Sequence, residues 1–185
     1  MTDTLLAYHN DPKVKRKYLA RVQAHQRADQ LVQGYGYWKA DVHGEMRGGA
    51  VGCTLHSDHH SQYPIELGIP EELAYLEDHF FESLPAEVAK KWPARFLSSI
   101  KPGADLSRTY DLWSAWNLID PTDGVINLVS DKFLDVQKIV RETGKACLNG
   151  TRVSAAEAAW AAWAARGAYY SRAADKLIEL LKAAA

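Results

Sequence analysis

The chain has 185 residues, 47% hydrophobic and 24% charged, with a formal net charge of −1. That length suits one domain with a substantial core. The near-neutral charge gives no general pull toward nucleic acid or an anionic membrane, and no run of about 18 apolar residues exists to span a bilayer. Two distant cysteines make no disulfide framework, and the first residues carry no basic-then-apolar secretory pattern, so a reduced, cytoplasmic protein is expected.

In chain order, Asp11-Pro12 reads as an N-cap followed by proline at the first helical position. Val14, Tyr18, Val22, His25 and Val32 follow at helical spacing, so the first helix is expected to run to Gly34. A Gly-rich loop over 34–52 follows, with Tyr35, Tyr37 and Trp38 at its start; Gly49 to His60 reads as loop or as a short helix beginning near Cys53. Ile69-Pro70-Glu71-Glu72 opens a strong helix with acids in its first turn, and Pro85 ends it. The pattern from Ala86 breaks at Pro93, since proline disfavours a helical residue before it. Phe96 to Ile100 is a short piece, and Leu106 to Ile119 another helix. A turn cluster spans Asp120 to Gly124, and a helix around Phe133 to Val140 is expected to stop at Gly144. No stretch alternates long enough for a convincing strand.

The last helix is the clearest. Ser154-Ala-Ala-Glu157 is a capping box. Val153, Ala156, Trp160, Trp163, Gly167, Tyr170, Ala174, Leu177 and Leu181 recur in steps of three and four, a heptad-like seam. The helix over 151–185 is therefore expected to pack on its own domain or to pair two copies as a homodimer through 153–181. The whole reads as all-α, a single compact domain over 1–185 of six or seven helices.

Chemistry-bearing residues concentrate in the first half. Four of the seven histidines (His43, His56, His59, His60) and Cys53 fall within residues 43–60, and no histidine follows His79. If Cys53 opened a helix, its free amides and dipole would lower the thiol pKa and form an oxyanion hole, with His56 or His60 as base. On a continuing helix Cys53, His56 and His60, three and four residues apart, share one face within reach of one ion; such N/S ligands would suit a divalent metal such as zinc, while histidine with carboxylate would admit iron or manganese. His25 and Asp29 repeat an i, i+4 pairing on the first helix. Glu66 is a further candidate for orienting an imidazole, and Tyr35 and Trp38 are candidates for docking a ligand or partner. Lys13, Lys15, Arg16, Lys17 and Arg21 place cations at the helix end where the dipole disfavours them, which marks them as available for phosphate or an acidic partner. His43-Gly-Glu45 lacks the Pro-Cys-x-x-Cys that would complete a deaminase zinc site, and no Gly-Lys-Ser/Thr makes a phosphate loop.

The phrases Val51-Gly-Cys-Thr-Leu55, Tyr63-Pro-Ile-Glu-Leu-Gly-Ile-Pro-Glu71 and Leu73-Ala-Tyr-Leu-Glu-Asp78 resemble a family of bacterial and phage hypothetical proteins. The likeness continues through Trp92 to Leu97 and Pro102 to Leu106. It implies no activity and no catalytic residues; it implies that Cys53 and the 63–71 segment form one structural unit, and its company suggests a phage or defence context. The functional expectation is a small binding or interaction protein with a protein or small-molecule partner. The alternative is a hydrolase or transferase using Cys53, His56 and His60, or a metal-dependent enzyme with those residues as ligands.

Overall fold

The computed structural model describes residues 4–36, 38–129, 131, 132, 134–151 and 166–184. It is mostly helical, with one two-stranded sheet among the described residues. The chain divides into two units, one running to Ser107 and joined by 181–185, the other covering 108–180.

The first unit begins with a left-handed turn, Ala7–Asn10, in which Tyr8, His9 and Asn10 have φ of 54, 52 and 56°. Such residues lack glycine's freedom, so the turn is held from outside. Ala7 N–H donates to Ala104 O at 2.9 Å, Gly103 N–H to Ala7 O at 2.8 Å, and the Tyr8 hydroxyl to Leu97 O at 2.7 Å. Gly68, at φ +63°, is required here: a Cβ would collide with the Leu6 carbonyl oxygen.

Helix α1, Pro12–Arg27, starts as its sequence dictates, with the Asp11 carboxylate accepting from Lys13 N–H at 2.7 Å. It stops seven residues before Gly34. Asp29 takes a left-handed φ of 54°, and the strand-like segment beyond pairs with Gly48: Gly48 N–H donates to Gln30 O and Val32 N–H to Gly48 O, both at 3.0 Å. Val32 keeps helical spacing in the sequence but lies in this bridge.

The expected loop over 34–52 contains regular structure. Strands β1, Lys39–Ala40, and β2, Met46–Arg47, pair antiparallel, with Lys39 opposite Arg47. Asp41 closes the hairpin by accepting from His43 N–H, Glu45 N–H and the Arg47 guanidinium. Two-residue strands fall below any alternation that sequence can display.

Helix α2, Ala50–Leu55, begins three residues before Cys53 and ends at His56, whose φ is 59°. Helices α3, Gln62–Leu67, and α4, Glu71–Ser83, follow, the latter directly after Pro70 as expected. After α5, Ala86–Ala89, comes α6, Trp92–Ser99. Pro93 opens α6 rather than breaking it, because proline in a first turn forfeits no intrahelical bond. The core gathers Tyr18, Tyr63, Phe80, Trp92 and Phe96, all nearly inaccessible, with Phe80 edge-on to Trp92 at 5.4 Å.

The basic run of α1 has structural work. Lys15 Nζ donates to Ser98 O at 2.8 Å and Ile100 O at 2.6 Å, at the C-terminal end of α6. Arg21 donates to Thr54 O at 2.8 Å, at the C-terminal end of α2. Each cation sits where a neighbouring helix presents unpaired carbonyls and the negative end of its dipole. Lys13 and Arg16 face solvent.

The second unit holds α7, Thr109–Ile119, a 3-10 turn at Val125–Leu128, α8, Leu134–Leu148, and most of α9, Arg166–Ala183. Nine α-helices are thus described, more than the six or seven expected, because short pieces such as α3 and α5 stand as separate helices. Helix α8 runs through Gly144 instead of stopping there. Gly144 is a packing residue: a Cβ on it would lie 2.5 Å from Ile119 Cγ2. The indole of Trp113 donates to Ala173 O at 3.1 Å and ties α9 to α7. Residues 153–163 of the heptad seam, with the capping box, lie outside the described residues. Of the seam's last residues, Ala174, Leu177 and Leu181 are buried.

Helix propensity alone would make Gly144→Ala stabilising by about 1 kcal/mol. Overpacking against Ile119 outweighs that, so a net loss of about 1–2 kcal/mol is expected in urea unfolding. A stabilised variant would show that α7 and α8 are not in this close approach.

Candidate functional site

Three rings from three separate segments meet at the surface of the first unit. His25 comes from the last turns of α1, Trp38 from the approach to β1, and His56 from the left-handed C-cap of α2. Trp38 lies flat on His56, with ring centres 4.5 Å apart and planes 9° apart, and tilts against His25 at 4.5 Å. The two imidazoles face each other with Nε2 to Nε2 at 2.8 Å.

Hydrogen bonding assigns the protons. Gln30 Oε1 lies 2.6 Å from His25 Nδ1 and can only accept, so Nδ1 carries the His25 proton and its Nε2 offers a lone pair. Between neutral rings, His56 Nε2–H is then the donor across the 2.8 Å contact. Loss of hydration against its neighbours, the Arg21 guanidinium and His25 together push His56 from an ordinary 6.5 down to about 4. A histidine with a lowered pKa contributes stability above its unfolded value and loses it as pH falls. The window here is about 6.5 to 4. NMR titration of the His56 ring should therefore show a midpoint near 4. A midpoint near 6.5 would mean that the stacked arrangement does not persist in solution.

His60 belongs to a second arrangement. Its Nε2 lies 3.0 Å from Asp78 Oδ2, and its ring stacks on Tyr75 at 4.2 Å. The other carboxylate oxygen, Asp78 Oδ1, accepts from Val51 N–H at 3.2 Å, so Asp78 links His60 to the first turn of α2.

Cys53 joins neither arrangement. It is fully buried, and its thiol points at Gly48 O, 3.4 Å away, and Gln30 O, 3.7 Å away. Burial pushes the thiol up to about 12, opposite to the direction a nucleophile needs. Cys53, His56 and His60 thus do not share a face. The helix that would align them ends at His56, and the left-handed residue there turns His56 and His60 apart. Among the described residues, no three His, Cys, Asp or Glu side chains converge as a metal-ligand group.

The other expected residues are dispersed. Asp29 pairs with Lys90 Nζ at 2.8 Å, which holds its carboxyl below the usual range. Glu66 accepts from the Tyr18 hydroxyl and lies 3.9 Å from Lys17 Nζ. Tyr35 carries Lys39 Nζ over its ring at 5.1 Å. Tyr37 lies outside the described residues. Only His25 and Trp38 of the binding candidates join His56.

Sequence reasoning missed Gln30 and Asp78 and named Arg21 only as one of a basic run, because their parts depend on tertiary proximity. It also missed Glu77, a fully buried carboxyl that accepts from the Tyr63 hydroxyl through one oxygen, while Oε1 has no hydrogen-bond partner. Burial drives its pKa well up, which favours the protonated acid. A signal existed: Glu77 is four residues from both Leu73 and Phe81, on the apolar stripe of α4.

No family model, no curated protein and no solved structure matches this chain.

Proposed function

We propose that this protein is a binding protein, and that the surface formed by His25, Trp38 and His56 is where it takes its ligand. The observation that carries this reading is the convergence of two imidazoles and an indole from separate segments, with His56 exposed. Flat aromatic rings beside nitrogen donors and acceptors supply both contact area and directional bonds. The Cys/His hydrolase alternative loses support at its nucleophile, because Cys53 is sealed from solvent and its thiol is held protonated. The buried Ala174, Leu177 and Leu181 favour a last helix used within one chain over a seam that pairs two copies.

Two measurements test this reading. In a Cys147→Ser background, iodoacetamide at neutral pH should modify Cys53 far more slowly than a free thiol, and fast modification of the folded protein would restore the enzyme reading. Chemical-shift mapping with a library of small polar and aromatic fragments should concentrate its shifts on His25, Trp38 and His56. Shifts gathered elsewhere, or none at these rings, would refute the assignment.

A further inference from the structure

Resting on that reading of the site, we infer that the ligand of His25 and His56 is a divalent late first-row metal ion of the zinc–nickel–copper class, held between their Nε2 atoms. Three observations point there. The two nitrogens already converge to 2.8 Å, although they come from different helices. Their tautomers differ in what they require: Gln30 fixes the proton of His25 on Nδ1, leaving Nε2 free to coordinate. An acceptor on the far nitrogen is the usual outer-shell partner of a metal-bound imidazole. Finally, Trp38 packs on both rings and holds their planes, so little side-chain freedom remains to be lost on binding.

The geometry also states what must change. Metal–nitrogen bonds of about 2.0–2.1 Å in a tetrahedral site space two ligand nitrogens by about 3.3 Å. The rings must therefore part by about half an ångström. His56 must shift its proton from Nε2 to Nδ1 through solvent, so that both Nε2 lone pairs face the ion and no proton is lost overall. Two protein ligands leave positions for water or a donor atom of a further ligand. Imidazole nitrogens without carboxylate favour this class of ion over magnesium or calcium. The Arg21 charge, fixed on Thr54 O at 2.8 Å and close enough to act on His56, opposes the cation and weakens its binding.

The test is calorimetric titration of the full chain with zinc chloride, using magnesium chloride as control. One equivalent of zinc should bind and magnesium should not. His25→Gln and His56→Asn should each weaken zinc binding by about tenfold or more, and Gln30→Leu by about tenfold. Asparagine at 56 tolerates the left-handed conformation, so that variant keeps its fold. A merely structural role would not move the second readout, the ¹⁵N shift of His56 Nε2, which should pass from a protonated to a metal-bound nitrogen. Absence of zinc binding overturns the inference, as does binding that survives both histidine variants. If zinc fails while fragment shifts still gather at these rings, the metal assignment alone falls. If both fail, the binding-site reading falls with it.

Discussion

A buried helix must have its ends satisfied, and α2 is the element on which this requirement falls hardest. Residues 50–54 are all buried, so the unpaired amides and carbonyls among them need partners within the protein. Asp78 accepts from the Val51 amide at one end, and Arg21 donates to Thr54 O at the other. Each partner then does a second thing. Asp78 also holds His60, and Arg21 lies close enough to His56 to depress its protonation. The two histidine arrangements are in this sense products of closing one short helix.

The same logic reassigns the cations of α1. A basic run at a helix start looks idle, because its own dipole repels it. Lys15 and Arg21 answer instead to the C-terminal ends of α6 and α2, whose carbonyls need donors once packed. Charges that look available in one dimension are partly committed in three: Lys15 and Arg21 close neighbouring helices, while Lys13, Arg16 and Lys17 stay exposed.

Much of the fold was legible because its signals are local. Asp11-Pro12 and Pro70-Glu71 carry their own instructions, and α1 and α4 begin where those residues place them. What escaped was set by distant partners. Val32 has helical spacing yet pairs with Gly48, and Gly144 resembles a stop signal but serves a close approach to Ile119. The site failed in the same manner. Grouping Cys53, His56 and His60 assumed a helix continuing past 56. A single left-handed residue ended it, and His56 met His25, which is 31 positions earlier. His25 and Trp38 were recognisable by residue type, but their meeting was not.

The left-handed turn at Tyr8–Asn10 has a consequence for the order in which the chain folds. Non-glycine residues in that conformation cost about 1–2 kcal/mol each, so the turn does not form by itself. Its stabilising bonds run to Ile65, Leu97 and Ala104. Residues 8–10 are synthesised before residues 97 and 104, so the turn must stay open until those partners have followed. A segment made before its partners is thus among the last to close, and the turn acts as a clasp over a first unit that has already assembled.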